Sequence, residues 1–173
     1  MGQLQGESKS GAGVSSLGPW VLSPTAAASG LVVRGHQSTG TISSIVDSAG
    51  GTWVERIGST GAIKHWDRLG AAAGVTSVTV NFSSSCDAIM HLSERDDIDL
   101  YDQFAYTEVG TSTAPSSGNT PVTTYADEIA LGTFSTFSSD NLSFLPTNGY
   151  AVSTGTGLTS GNMGNGTGTS AFY

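Results

Sequence analysis

The sequence predicts an all-β protein of antiparallel strands, and three observations carry that expectation. The 173 residues include 24 glycines, 26 serines and 21 threonines, whereas Asp, Glu, Lys and Arg make up only 12%, about half the usual ~25% charged share. Long surface helices draw on Glu, Lys, Ala and Leu, while Ser, Thr and Gly favour turns, caps and, for Thr, pleated surfaces. Apolar residues recur in short runs at a period of two, bounded by Gly, Ser, Asn and Pro, and no stretch sustains a helical period. Roughly eight to ten such runs, with no longer self-similarity, point to an antiparallel β-sandwich of the jelly-roll or immunoglobulin-like kind rather than to a solenoid or propeller.

Residues 1–18 are polar, rich in Gly and Ser and without periodicity, which reads as a flexible or partner-ordered N-terminal arm. Its deletion should leave the rest folded. Residues 19–173 then form a single β-sandwich domain, long enough to bury roughly 70% of its unfolded surface. The domain opens on Pro19-Trp20-Val21-Leu22, and Leu31-Val32-Val33-Arg34-Gly35 follows as a buried strand between glycines. Ile42–Asp47 and Thr52–Ile57 flank Ser48-Ala49-Gly50-Gly51, whose glycines suit a tight hairpin. Ala62–Leu69 alternates, with Ile63, His65 and Asp67 on one face and Lys64, Trp66 and Arg68 on the other; Trp66 favours burial of the second.

Val78–Phe82 and Cys86–Leu92, separated by Ser83-Ser84-Ser85, read as a second hairpin. Cys86, Ala88, Met90 and Leu92 should point inward and Asp87, Ile89, His91 and Ser93 outward. Glu94 to Glu108 holds six of the fourteen acidic residues and runs into a Ser/Thr/Pro/Gly linker ending at Pro121. A connection of that length inside a compact domain is usually functional or interaction-bearing. Strand signals return at Val122–Tyr125, Glu128–Phe134 and Tyr150–Ser153, and the sequence closes on Ser170-Ala171-Phe172-Tyr173.

The formal net charge of -8 and six scattered basic residues leave no footprint for a phosphate backbone, so nucleic acid is not an expected partner. No apolar stretch approaches the ~20 residues that span a bilayer, and no membrane association is expected. The N-terminus lacks the cationic start and apolar centre of a secretion signal, which places the chain in the cytoplasm until something assembled there carries it out. Cys86 is the only cysteine, so no internal disulfide contributes. At the start of an apolar strand face it reads as a small core residue.

No nucleophile elbow, P-loop or dinucleotide fingerprint occurs, and no cofactor is implied. His36, His65 and His91 lack metal-ligand spacing and read as satisfied or surface histidines. Glu94, Asp96, Asp97, Asp99 and Asp102 form a candidate cation-binding or partner loop, because clustered carboxylates supply the oxygen ligands calcium prefers. They lack EF-hand spacing, Arg95 offsets part of their repulsion, and a solvated acidic loop is the plainer reading. Trp20, Trp53 and Trp66, with Tyr101, Tyr106 and Tyr125, could build a sugar platform; Trp53 and Trp66 on strands fit a core better. The sequons at Asn81, Asn141 and Asn165 carry little weight in a chain this rich in Ser and Thr.

Ile45-Val46-Asp47-Ser48-Ala49-Gly50-Gly51-Thr52-Trp53, Val75–Ser83 and Ala126–Gly132 together resemble Ser/Thr/Gly-rich β-sandwich modules of tailed-bacteriophage virion proteins and bacterial surface proteins. The resemblance implies architecture and carries no catalytic residue. With the absent signal, cysteine pairing and catalytic motifs, it implies a non-enzymatic virion structural protein, a capsid decoration or cement protein, with a minor tail or spike component as a near variant. Its partners would be capsid or other virion subunits, and copies of itself in a homo-oligomer. Pro19, Trp20, Val21, Leu22, Phe172 and Tyr173 are the expected contact residues, and an open sheet edge could be filled by a neighbour's strand. The rival is a carbohydrate-binding or adhesion module; a polysaccharide hydrolase comes third.

Overall fold

The computed structural model describes residues 3–57, 62–71, 73–105, 119, 121–125, 129–137, 158–162 and 167–172. These residues are all-β, with strands β1 (Gln3–Val21), β2 (Ser29–Gln37), β3 (Ile42–Asp47), β4 (Val54–Glu55), β5 (Ile63–Ala71), β6 (Ser77–Arg95), β7 (Thr133–Phe137), β8 (Leu158–Asn162) and β9 (Thr167–Phe172). A six-stranded sheet runs β1-β6-β2-β5-β4, with β3 also pairing β6, and a three-stranded sheet runs β7-β9-β8. Every pairing is antiparallel.

The two 19-residue strands β1 and β6 pair along most of their length. The other edge of β6 is taken first by β3, opposite Val78–Phe82, and then by β2, opposite Ala88–Arg95. All three lanes break at one level. On β1 the register jumps between Gly11 and Ser16; on β6 the residues passed over include Ser83–Ser85; between β2 and β3 lie Ser38–Thr41. Gly13 and Gly40 both sit at positive φ there, a conformation glycine adopts without a Cβ clash.

Hydroxyls and a carboxylate satisfy the backbone that the broken ladder leaves. Ser38 N–H donates to the Asp87 carbonyl (2.8 Å) and Asp87 N–H to Ser38 Oγ (2.9 Å), Thr41 N–H donates to Ser83 Oγ (3.0 Å), and Gly13 N–H to Asp87 Oδ1 (2.7 Å). The ribbon therefore doubles back. An extended strand would separate residues 7 and 20 by roughly 40 Å, yet Trp20 Nε1 donates to the Glu7 carbonyl at 3.0 Å. Both halves feed one apolar cluster: Leu17, Trp20, Ile42, Ile45, Val78, Val80 and Phe82 from one, Leu31, Val33, Cys86, Ala88, Met90 and Leu92 from the other.

Several expectations are corrected. The Gly/Ser-rich stretch read as a flexible arm is the first part of β1, because its backbone hydrogen-bonds to β6 and small residues permit close packing. The hairpin expected around Ser48–Gly51 does not form: β3 pairs with β6 and β4 with β5. The second expected hairpin is one continuous strand, with Ser83–Ser85 as its bend.

Cys86, Ala88, Met90 and Leu92 do face the cluster, and Trp53 and Trp66 pack in or against it. Ile89, His91 and Ser93, expected outward, are as buried as their neighbours, because β6 is covered on both faces. Of the later strand signals, Val122–Tyr125 is not a strand, and Glu128–Phe134 enters β7 only at its end. Tyr150–Ser153 and most of the expected Ser/Thr/Pro/Gly linker lie outside the described residues.

Removing residues 1–18 should abolish cooperative unfolding, since β1 then loses its pairing and Leu17 leaves the cluster. Circular dichroism through a thermal ramp reads this. A sharp transition at the original midpoint would show that the stretch is dispensable.

Candidate functional site

Behind the apolar face, the β1-β6-β2-β5 sheet carries a polar one. Register places Ser8 (β1) opposite His91 (β6), His91 opposite Arg34 (β2), and Arg34 opposite His65 (β5), so one row of polar groups crosses four strands on a single face. His36 and Asp67 occupy the flanking rows, beside Ile89 and Val32. Arg34, His36, Asp67 and His91 are buried. Arg34 Nη1 donates to the Gly132 carbonyl at 2.9 Å, just before β7, and a Cβ on Gly30 would meet Ile98. Ser8 Oγ lies 3.3 Å from His91 Nδ1.

Burial sets the chemistry of this row. Desolvation, then the Arg34 charge, lowers His91 to about 3 and His65 to about 4; desolvation, then Lys64, lowers His36 to about 4. Burial and then Arg95 push the Arg34 guanidinium down to about 9, still protonated at neutral pH. The Ser8–His91 pair resembles a nucleophile with its base, but a histidine of that basicity takes up few protons near neutrality, where general-base catalysis needs a pKa close to the working pH. At the end of the row Arg56 makes a forked pair with Asp67 (2.7 and 3.0 Å) and lies 4.5 Å over the Tyr101 ring.

The candidate acidic loop is dispersed rather than gathered. Glu94 is buried and accepts from the Ala26 N–H (2.9 Å) and from Gln5 Nε2, tying the segment after β1 to β6. Asp97 is forked to Arg95 (2.8 and 2.9 Å). Asp102 accepts from the Thr124 amide and hydroxyl. Asp96 and Asp99 are exposed. Among the described residues, no group of three or more His, Cys, Asp or Glu side chains is placed to hold a metal ion.

The expected contact residues divide as well. Pro19 and Val21 are exposed, whereas Trp20 and Leu22 belong to the apolar cluster and cannot meet a neighbour. Phe172 lies in β9, and Tyr173 is outside the described residues. With all three tryptophans in or against the core, the sugar platform keeps only Tyr125 as an exposed member among the described residues.

Sequence reasoning missed the polar row and one buried carboxylate. Asp47, at the end of β3, accepts from the amides of Ala49 (2.9 Å) and Gly51 (3.4 Å) and from Trp53 Nε1 (2.9 Å), and forms an ion pair with Arg68 Nη1 (2.6 Å) on β5. This explains the Asp47-to-Trp53 motif: one carboxylate folds the loop, orients the tryptophan and links β3 to β5. Burial raises its pKa, but Arg68, Trp53 and the two amides outweigh that, and the net direction is downward.

The histidines and Asp47 act in separate pH windows. An unfolded histidine protonates near 6.5 and these three only near 3 to 4, so between those values the unfolded chain binds more protons and stability is lost as the pH is lowered. His36 and His91 should each cost about 2 kcal/mol between pH 6.5 and 5, seen as a lower urea midpoint at pH 5 than at pH 7.5. Equal midpoints would mean that both rings are solvated. The Asp47 contribution is present above the ordinary carboxylate value near 3.9 and disappears only as pH falls through its depressed one.

Asp47→Asn leaves the Arg68 charge buried without its counter-ion and should lower stability at pH 7 by about 3–5 kcal/mol. Chemical denaturation measures it; a loss under about 1 kcal/mol, the range of an exposed ion pair, would make the contact incidental.

No protein-family model matches the chain, and neither a curated protein nor a solved structure matches it.

Proposed function

We propose that the protein is a non-enzymatic structural component of a tailed-phage virion, a capsid decoration or cement protein that joins neighbouring subunits through its sheet edge. One observation carries the assembly part: β1, 19 residues long, ends the six-stranded sheet, and no described strand pairs with its outer side. Long open edges are templates for addition of another chain's strand. The three histidines fit the non-enzymatic reading, since burial lowers their proton affinities away from the range that catalysis near pH 7 uses. The virion and its host-cytoplasm assembly rest on the resemblance of the Ile45–Trp53, Val75–Ser83 and Ala126–Gly132 stretches.

The finer architecture proposed is a sandwich in which β7-β9-β8 is stacked on the polar face. Contacts of β8 with β1, of β8 and β9 with β6, and of β7 with β2 follow one order, and Arg34 reaches Gly132. The edge replaces the flexible arm as the contact element. Attachment over a symmetric shell multiplies weak contacts into a durable one.

Imaging and mass spectrometry of purified phage particles from the source of the sequence test the reading. The chain should be present in many lattice-ordered copies. Its absence from the particles would end the virion assignment.

A further inference from the structure

We infer that β1 is a self-recognition edge, through which two copies of the chain join antiparallel with Ser8 at the two-fold axis. The inner side of β1 is paired to β6 from Gln3 onward, and its outer side has no strand partner among the described residues. Between Gln3 and Gly13 the only charged side chains are Glu7 and Lys9, both accessible at 49% and 30% and paired at 2.9 Å within one copy.

A lysine on an edge ordinarily blunts strand addition. Here it completes a self-complementary pattern. With Ser8 on the axis, Glu7 lies opposite Lys9 of the second copy, and Lys9 opposite its Glu7, so symmetry makes the attraction twice. Gly6 falls opposite Ser10 and Gln5 opposite Gly11, which is the whole stretch over which β1 keeps an unbroken register with β6. Moving the axis to Glu7 or to Lys9 sets like charge against like charge, and moving it by half that step mismatches the faces. The pattern therefore favours one register, and it fits a second copy, because an identical strand run antiparallel supplies the complement in reverse order. The inference deepens the assembly reading and rests on it in taking this edge as a contact surface.

Sedimentation velocity on the full chain tests it. The wild type should sediment as a dimer. Glu7→Lys or Lys9→Glu alone creates two like-charged pairs and should weaken association about tenfold or more. The double reversal Glu7→Lys/Lys9→Glu should restore the dimer, and an equimolar mixture of the two single variants should form a dimer of one copy each. Circular dichroism melts that match the wild type show that the variants are folded. A monomeric wild type, or single reversals that dimerise undiminished, would overturn the inference. A reversible dimer missing from phage particles would overturn the virion assignment alone, whereas particle-bound chain indifferent to the reversals would overturn the self-pairing alone.

Discussion

An antiparallel ribbon with one apolar face must find a second layer for that face or fold onto itself. This chain does the second with its longest strands. The bend works because three lanes break together, at Gly11–Ser16, Ser38–Thr41 and Ser83–Ser85, and because the groups exposed by the break are met by Ser38, Ser83 and Asp87 rather than left for water. Ser38–Thr41 and Ser83–Ser85 are exposed, so apolar residues at that level would face water and remove the side-chain acceptors that hold the bend. The abundance of Ser and Gly that looks like loop composition is here the material of a corner.

Two buried carboxylates then hold the doubled ribbon shut. Glu94 and Arg68 flank Leu31 in a single cross-strand row. Glu94 receives the Ala26 amide from the segment after β1, and Arg68 receives Asp47 from the end of β3. Each carboxylate has several donors, which is the condition under which burying a charge does not undo the fold. Residues that look like surface acids and a surface arginine thus join the layers around Leu31, Val33 and Leu92.

Strand character was legible in Cys86–Leu92, where the set facing the apolar cluster, Cys86, Ala88, Met90 and Leu92, follows from alternation. Pairing was not. A Gly-Gly loop after Asp47 fits a hairpin locally, but Asp47 holds Trp53 across the loop and pairs with Arg68 on β5, a partner distant in sequence that no local pattern reveals. Similarly, alternation assigns His91 and Ser93 to solvent because it registers one buried face; the cover over the other comes from segments beyond residue 95. The one local hint was Arg34 and His36, interleaved with apolar residues in a strand buried throughout.

A fold built this way places its vulnerability at β1. The strand supplies Leu17 and Trp20 to the core from its second half, so it cannot be trimmed, while in its first half Gly6 has no room for a side chain against His91 and Gln3. Between Gln5 and Gly11 its register with β6 is unbroken, and a regular stretch is also what makes an edge open to another strand. Glu7 and Lys9 resolve the conflict without altering the backbone: they leave the pairing with β6 intact, discourage arbitrary strands through their charge, and admit one arrangement in which both charges are met. The requirement that shapes the inside of β1 therefore also determines what its outside can accept.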